Sequence, residues 1–186
     1  MTDDEATMTV IDALEMLAIP YMVVGSLSCT VYGVPRLSHD ADFVVELRSV
    51  PLTHLTAQLG SAFRLDPQMT FETTTMSQRH VLEVVGISFA IELFHLSDDP
   101  HDQERFRRRR RIKTMGRDVS MPTVEDVIIT KLRWALNARR LKDREDVRNV
   151  IAVQGHNIDW PYVYGWCDQH GSRDLLDEIR RSIPPL

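Results

Sequence analysis

The sequence predicts an α/β (α+β) fold: a mixed sheet flanked by helices, followed by a C-terminal helical subdomain. Three observations predict it. Short apolar runs ("YMVV", "DFVVEL", "RHVLEVV", "SFAIELFHL") alternate with stretches of helical periodicity over the first two thirds of the chain. From Met121 onward the apolar residues recur at helical spacing, with no clear strand. No internal repeat or low-complexity tract interrupts the 186 residues, a length that suits one domain or one domain with a helical extension. The division falls near Val119, giving an α/β unit over 1–119 and a helical subdomain over 120–186.

The elements follow in order. Apolar positions at Val10, Ile11, Leu14, Leu17 and Ala18 make a helical stripe that must stop before Pro20. "YMVV" is a short buried strand, and Ser26 to Tyr32 suits a helix that Gly33 and Pro35 end. "DFVVEL" is the next strand, and "PLTHLTAQLGSAF" a helix starting near Pro51. "RHVLEVV" and "SFAIELFHL" form a hairpin turning at Gly86. Thr123 and Asp126 resemble a capping box ahead of the stripe Val124, Val127, Ile128, Lys131, Leu132, Ala135 and Leu136. "LKDREDVRNVIA" and "LLDEIRRSI" supply two further helices, and Trp134, Trp160 and Trp166 are expected in the core.

Composition narrows the class. The apolar fraction of 43% and charged fraction of 26% are ordinary for a soluble globular protein. Cys29 and Cys167 form no CxxC pair and no Cys/His cluster, so neither a disulfide framework nor structural zinc is indicated, and a reducing cytoplasm is the expected location. The acidic N-terminus "MTDDEATMTV" is unlike a signal peptide, and no apolar run approaches the roughly 18 residues of a membrane span, so no membrane partner is expected.

The net charge of -5 conceals an asymmetry. "RFRRRRRIK" holds seven basic residues (Arg105, Arg107, Arg108, Arg109, Arg110, Arg111 and Lys113) and no acid, leaving 15 basic against 27 acidic residues elsewhere, a body near -12. Consecutive arginines on a helix point all round it, so the body is not expected to pair them all. A polyanion such as nucleic acid would dock on such a stripe; a solvated helix face or a dock for an acidic protein is the plainer alternative.

Asp40 and Asp42 open an apolar strand, where Asp has weak propensity and a charge to desolvate. They follow Gly25-Ser26 by a spacer of 13 residues, and "AIELF" places Glu92 on a later strand. These residues resemble the DNA polymerase beta-type nucleotidyltransferase superfamily, and within it the bacterial AbiEii-type toxins. "RLSHDADFVV" matches that family's Arg and Ser before the acidic pair, and Lys131, Lys142-Asp143 and Asp146 its "K...KD..D" pattern. The resemblance covers about Leu17 to Val150.

It implies transfer of a nucleotide from a nucleoside triphosphate (NTP) to an acceptor hydroxyl, with Mg²⁺ as cofactor. The expected acceptor is RNA, plausibly the 3′ end of tRNA, bound by the arginine stripe, with a cognate antitoxin protein as partner. Nucleotidylation of a protein or of a small molecule such as an aminoglycoside is the alternative, as is a catalytically silent binding module. Mg²⁺ prefers oxygen ligands and is commonly held by one or two carboxylates plus phosphate. Residues two apart on a strand share a face, so Asp40 and Asp42 converge, and Glu92, where the family more often has Asp, is the candidate third ligand. Gly25 permits close backbone approach, while Ser26 and the amides of a helix start suit phosphate. Lys131 either snorkels to solvent or reaches the triphosphate. Asp143 and Asp146 either position Lys131 or a base, or pair with Arg139 and Arg144. Arg36 contacts phosphate or bridges to the aspartates.

Overall fold

The computed structural model describes residues 1–47, 50–138 and 140–184. Helix α1 (Asp3–Met16) begins earlier than its apolar stripe. Thr2 and Glu5 close a capping box there: Thr2 Oγ1 accepts from the Glu5 amide at 3.2 Å and Glu5 Oε2 from the Thr2 amide at 2.8 Å. β1 (Tyr21–Val24), α2 (Gly25–Tyr32), β2 (Asp40–Val45) and α3 (Leu52–Leu59) follow. β3 (Phe63–Leu65) and β4 (Thr70–Phe71) precede the expected hairpin of β5 (Gln78–Val84) and β6 (Ala90–His95), which turns at Gly86 with φ +90°.

These strands make one mixed sheet in the order β1-β2-β6-β5-β3, with β4 paired to β5. β2 and β6 run parallel and the other pairs antiparallel. Alternation sorts the side chains. Val23, Phe43, Val45, Ile91, Leu93 and Leu82 join α1 and α3 in the main core, while Met22, Val24, Val44 and Phe94 pack with Phe106 on the other face. Asp40, Asp42 and Glu92 alternate with the first set and so lie on the second face, beyond its apolar patch.

The basic stripe is not one helix. α4 (Pro100–Arg108), capped by Asp99, stops at Arg109, whose φ of -51° and ψ of 147° are extended. The chain continues as a hairpin, β7 (Arg110–Thr114) and β8 (Arg117–Met121), whose two turn residues Met115 and Gly116 both have positive φ, the primed-turn geometry that matches strand twist. α5 (Val124–Ala138), α6 (Leu141–Gln154), α7 (Trp160–His170) and α8 (Arg173–Arg181) complete the chain. Their apolar stripes form a second core with Cys29 of α2, which ties the helical part to the turn after β1. Among the described residues no helix is long and apolar enough to cross a membrane.

Candidate active site

Val24 leaves β1 extended and Gly25 turns with φ +63°, a conformation that costs glycine nothing, and α2 starts at once. A second constraint acts at the same residue. Val24 and Asp42 are register partners across β1 and β2, and a β-carbon on Gly25 would overlap the Asp42 carboxylate at Oδ2. The turn and the acid are thus built around each other. The Ser26 hydroxyl is buried beside them with no hydrogen-bond partner among the described residues, and it lines a cleft of about 400 Å³.

Asp40, Asp42 and Glu92 also line this cleft. Asp42 faces Glu92 directly across the parallel β2–β6 pair. Asp40 accepts a hydrogen bond from Ser38 Oγ at 2.6 Å. Burial, then the neighbouring charges of Asp40 and Glu92, push the Asp42 carboxyl up to about 7, with Lys131 and Lys142 pulling the other way. Glu92 is held: Arg79 Nη1 donates to its two oxygens at 3.1 and 3.2 Å.

Lys131 sits on α5, buried, with its ammonium 2.8 Å from Asp143 Oδ1 and 2.9 Å from Asp146 Oδ2 on α6. Asp146 also receives the Arg36 guanidinium, Nε at 3.0 Å and Nη2 at 3.2 Å. Arg36 therefore bridges to Asp146 and not to Asp40 or Asp42. Burial works against the charge of Asp146, yet Arg36 and Lys131 hold its carboxyl below the usual range. Asp143 Oδ2 has no partner among the described residues, and the residue lines the cleft. Arg144 pairs instead with Glu178, and Arg139 lies outside the described residues.

The sequence marked no cleft role for several lining residues, although Lys142 already stood in the "K...KD..D" pattern. Arg79, Trp134, Arg140 and Lys142 line it as well. Trp134 was expected in the core; it is half-buried in the cleft wall, 5.4 Å from the Lys131 ammonium, whereas Trp160 and Trp166 pack at the edge of the helical core. The apolar stripe of α5 carried Trp134's signal only weakly, since it sits beside that stripe.

Four of the seven basic residues of the stripe are paired within the fold. Arg105 is buried against Asp102; Arg107 pairs with Glu104; Arg108 meets Asp126 at 3.3 Å and stacks 3.9 Å from the Tyr162 ring centroid; Arg111 meets Glu15 at 2.7 Å. Arg109 lies over the Phe106 ring, and Arg110 and Lys113 are exposed on β7. An open groove at the start of β1, by Tyr21, carries Arg107, Arg109, Arg110 and Arg111, while the cleft opens where β1 ends. As expected, the body does not pair every member of the run: Arg110 and Lys113 have no carboxylate partner among the described residues.

Among the described residues no cluster of three or more His, Cys, Asp or Glu side chains stands ready-gathered for a metal ion. Asp40 and Asp42 nevertheless fit Mg²⁺, which takes one or two carboxylates and completes its octahedron from water and phosphate. Their mutual repulsion at Asp42 is the kind a divalent cation relieves.

The mixed sheet and its helices match nucleotidyltransferase-like folds. The chain superposes on the antibiotic-resistance factor ANT(2'')-Ia with a TM-score of 0.65 and 14% identity over 97% of this chain and 98% of that one. The same enzyme in complex with adenylyl-2''-tobramycin gives 0.64 and 13%, over 93% and 99%. An antigenic nucleotidyltransferase-like protein from Paracoccidioides brasiliensis gives 0.55 and 17%, over 99% and 95%. The lincomycin-bound lincosamide antibiotic adenylyltransferase LnuA gives 0.55 and 10%, over 80% and 96%. No family model matches the sequence, and no curated protein does.

Proposed function

We propose that the chain is an enzyme that transfers a nucleotide from an NTP to the hydroxyl of a small polyhydroxylated acceptor, with Mg²⁺ held by Asp40 and Asp42. The observation that carries this reading is the fit of Gly25 against the Asp42 carboxylate, which sets the turn that starts α2 and the candidate cation-binding acid side by side. Mg²⁺, when bound, supplies positive charge for the oxygens that gain negative charge at the transferring phosphorus. The orphaned Ser26 hydroxyl donates to a phosphate oxygen. Arg140 and Lys142, exposed at the cleft with no carboxylate partner among the described residues, attract the rest of the triphosphate. Lys131 keeps its charge against the cleft wall, but Asp143 and Asp146 already share it, so it positions the wall more than it grips the ligand. Intact Asp40 and Asp42 speak against a silent module.

The acceptor follows from what encloses the cleft. Trp134 and Phe71 give it apolar surface beside the acids, a mixture suited to a hydroxylated organic molecule. ANT(2'')-Ia carries adenylyl-tobramycin and LnuA carries lincomycin in structures that span most of this chain, which favours an aminoglycoside-like acceptor. An RNA acceptor, with the toxin role and antitoxin partner that would go with it, is the second reading. The groove bearing Arg109 and Arg110 is the observation in its favour.

Labelled ATP, GTP, CTP and UTP, each with Mg²⁺ and either an aminoglycoside and lincosamide panel or total tRNA, test the proposal. Label is expected on a small molecule. Asp40→Ala and Asp42→Ala should each cost at least about 10²-fold in rate, because a bound metal is worth several kcal/mol of charge stabilisation, while both variants stay folded in thermal melts. Wild-type rates in either variant would overturn the assignment.

A further inference from the structure

Arg79 stands on β5 two positions from Val81, and Val81 faces Glu92 across the β5–β6 pair. Strand alternation therefore puts Arg79 on the face that carries Glu92, Asp42 and Asp40. Its Nη1 contacts the two Glu92 oxygens, and its Nε donates to Thr70 Oγ1 at 2.9 Å. Thr70 belongs to β4, so a third strand braces the guanidinium. Side chains of Arg79 and Glu92 are 35% and 20% exposed, and both residues line the cleft.

An ordinary cross-strand ion pair would add only some tenths of a kcal/mol to the sheet. This one occupies the acid that faces Asp42. A divalent cation shared by Asp42 and Glu92 would lie within a few ångströms of the guanidinium, and like charges that close repel strongly in a half-buried site. With Arg79 Nη1 on both of its oxygens, Glu92 is a weaker ligand for a cation, and a cation bound there would favour release of the guanidinium. A nucleotide changes the balance. Its phosphate oxygens offer the guanidinium a partner of the same charge and the same fork geometry as the carboxylate it gives up.

We infer that Arg79 is a positioning residue that withholds Glu92 from a divalent cation until a nucleotide arrives, so that cation and nucleotide bind as a coupled pair. The inference rests on the nucleotidyl-transfer reading above. Coupling of this kind is reciprocal: whatever the nucleotide adds to cation affinity, the cation adds to nucleotide affinity. It also keeps the empty site from collecting a cation without its triphosphate.

Mn²⁺ is the probe, titrated by the loss of its free-ion paramagnetic resonance signal, alone and with α,β-methylene ATP. In wild type the analogue should raise Mn²⁺ affinity strongly. Arg79→Met should bind Mn²⁺ alone at least about tenfold tighter than wild type, as expected for removing a charge at this distance, and should lose a matching part of the analogue's effect. Arg79→Gln, which can still bond Thr70, should do the same if the Met variant loosens the strand pairing. The gain should vanish when Glu92→Gln is added. Unchanged Mn²⁺ affinity in an Arg79 variant that melts like wild type would overturn the inference, and so would a gain that persists without Glu92. A wild-type protein that binds neither Mn²⁺ nor the analogue would instead overturn the nucleotidyl-transfer reading beneath it.

Discussion

Asp42 is asked to be charged in a place that resists charge. Its carboxyl has an ordinary value of 3.8 in the unfolded chain and is pushed up to about 7 in the fold, by burial, Asp40 and Glu92. The folded state thus keeps a proton that the unfolded chain releases, and stability falls as pH rises from about 4 to about 7, by on the order of 3 kcal/mol, then levels off. Urea melts from pH 4 to 8 in the presence of a chelator check this. Asp42→Asn should flatten the decline and be the more stable protein at pH 8, and identical pH slopes in the two proteins would refute the account. Mg²⁺ at pH 8 should restore stability to wild type and not to the variant. At this scale Asp40 and Asp42 were legible because each is a weak strand former with a charge to desolvate, and Gly25-Ser26 only through its spacing from them. The reason for Gly25 was only half legible, since the group that demands its missing side chain is Asp42 itself. Arg79 left no local trace, because its pairing depends on the β5–β6 register.

At the scale of elements, strands and helices with clean periodicity were readable, and those set by turn chemistry were not. "TMGR" lacks the Asn-Gly signature of a two-residue hairpin, so β7 and β8 stayed hidden inside a run of arginines that carries no apolar period. The α5–α6 pair shows the opposite case. A lysine on an apolar stripe and two later aspartates proved to be one buried cluster, Lys131 with Asp143 and Asp146, spanning a helix break. Removing one member of a buried charge cluster leaves the others uncompensated. Lys131→Met should therefore cost about 3–5 kcal/mol of unfolding free energy, because Asp143 has no other cation among the described residues while Asp146 keeps Arg36. Adding Asp143→Asn should recover a substantial part. Urea titration of the two variants decides it, and a Lys131→Met protein with wild-type stability but weakened nucleotide binding would return Lys131 to the role of a direct triphosphate contact.

For the whole molecule, the deciding quantity is how much positive charge remains free to meet a polyanion. Seven basic residues lie between Arg105 and Lys113, but Arg105, Arg108 and Arg111 are committed to Asp102, Asp126 and Glu15 within the fold. Arg109 is spread over Phe106. Arg111 is exposed too but is held to Glu15 of α1; Arg107, Arg110 and Lys113 are the exposed cations that no other element pairs among the described residues, Arg107 keeping only a surface pair with Glu104 that salt would loosen. Each phosphate contact contributes about -0.7 to -0.9 to the slope of log affinity against log salt, so three contacts set a limit near -3 for tRNA binding. The body near -12 would repel the rest of the backbone. We therefore expect a slope no steeper than about -3, lost in an Arg107→Gln, Arg110→Gln, Lys113→Gln triple variant whose rate on a small acceptor matches wild type, since the groove at the start of β1 and the cleft at its end are separate. A slope approaching about -6 would mean that the paired arginines release their carboxylates to take phosphates. The internal pairs would then be a resting state of an RNA-binding surface, and tRNA would replace the small molecule as the acceptor.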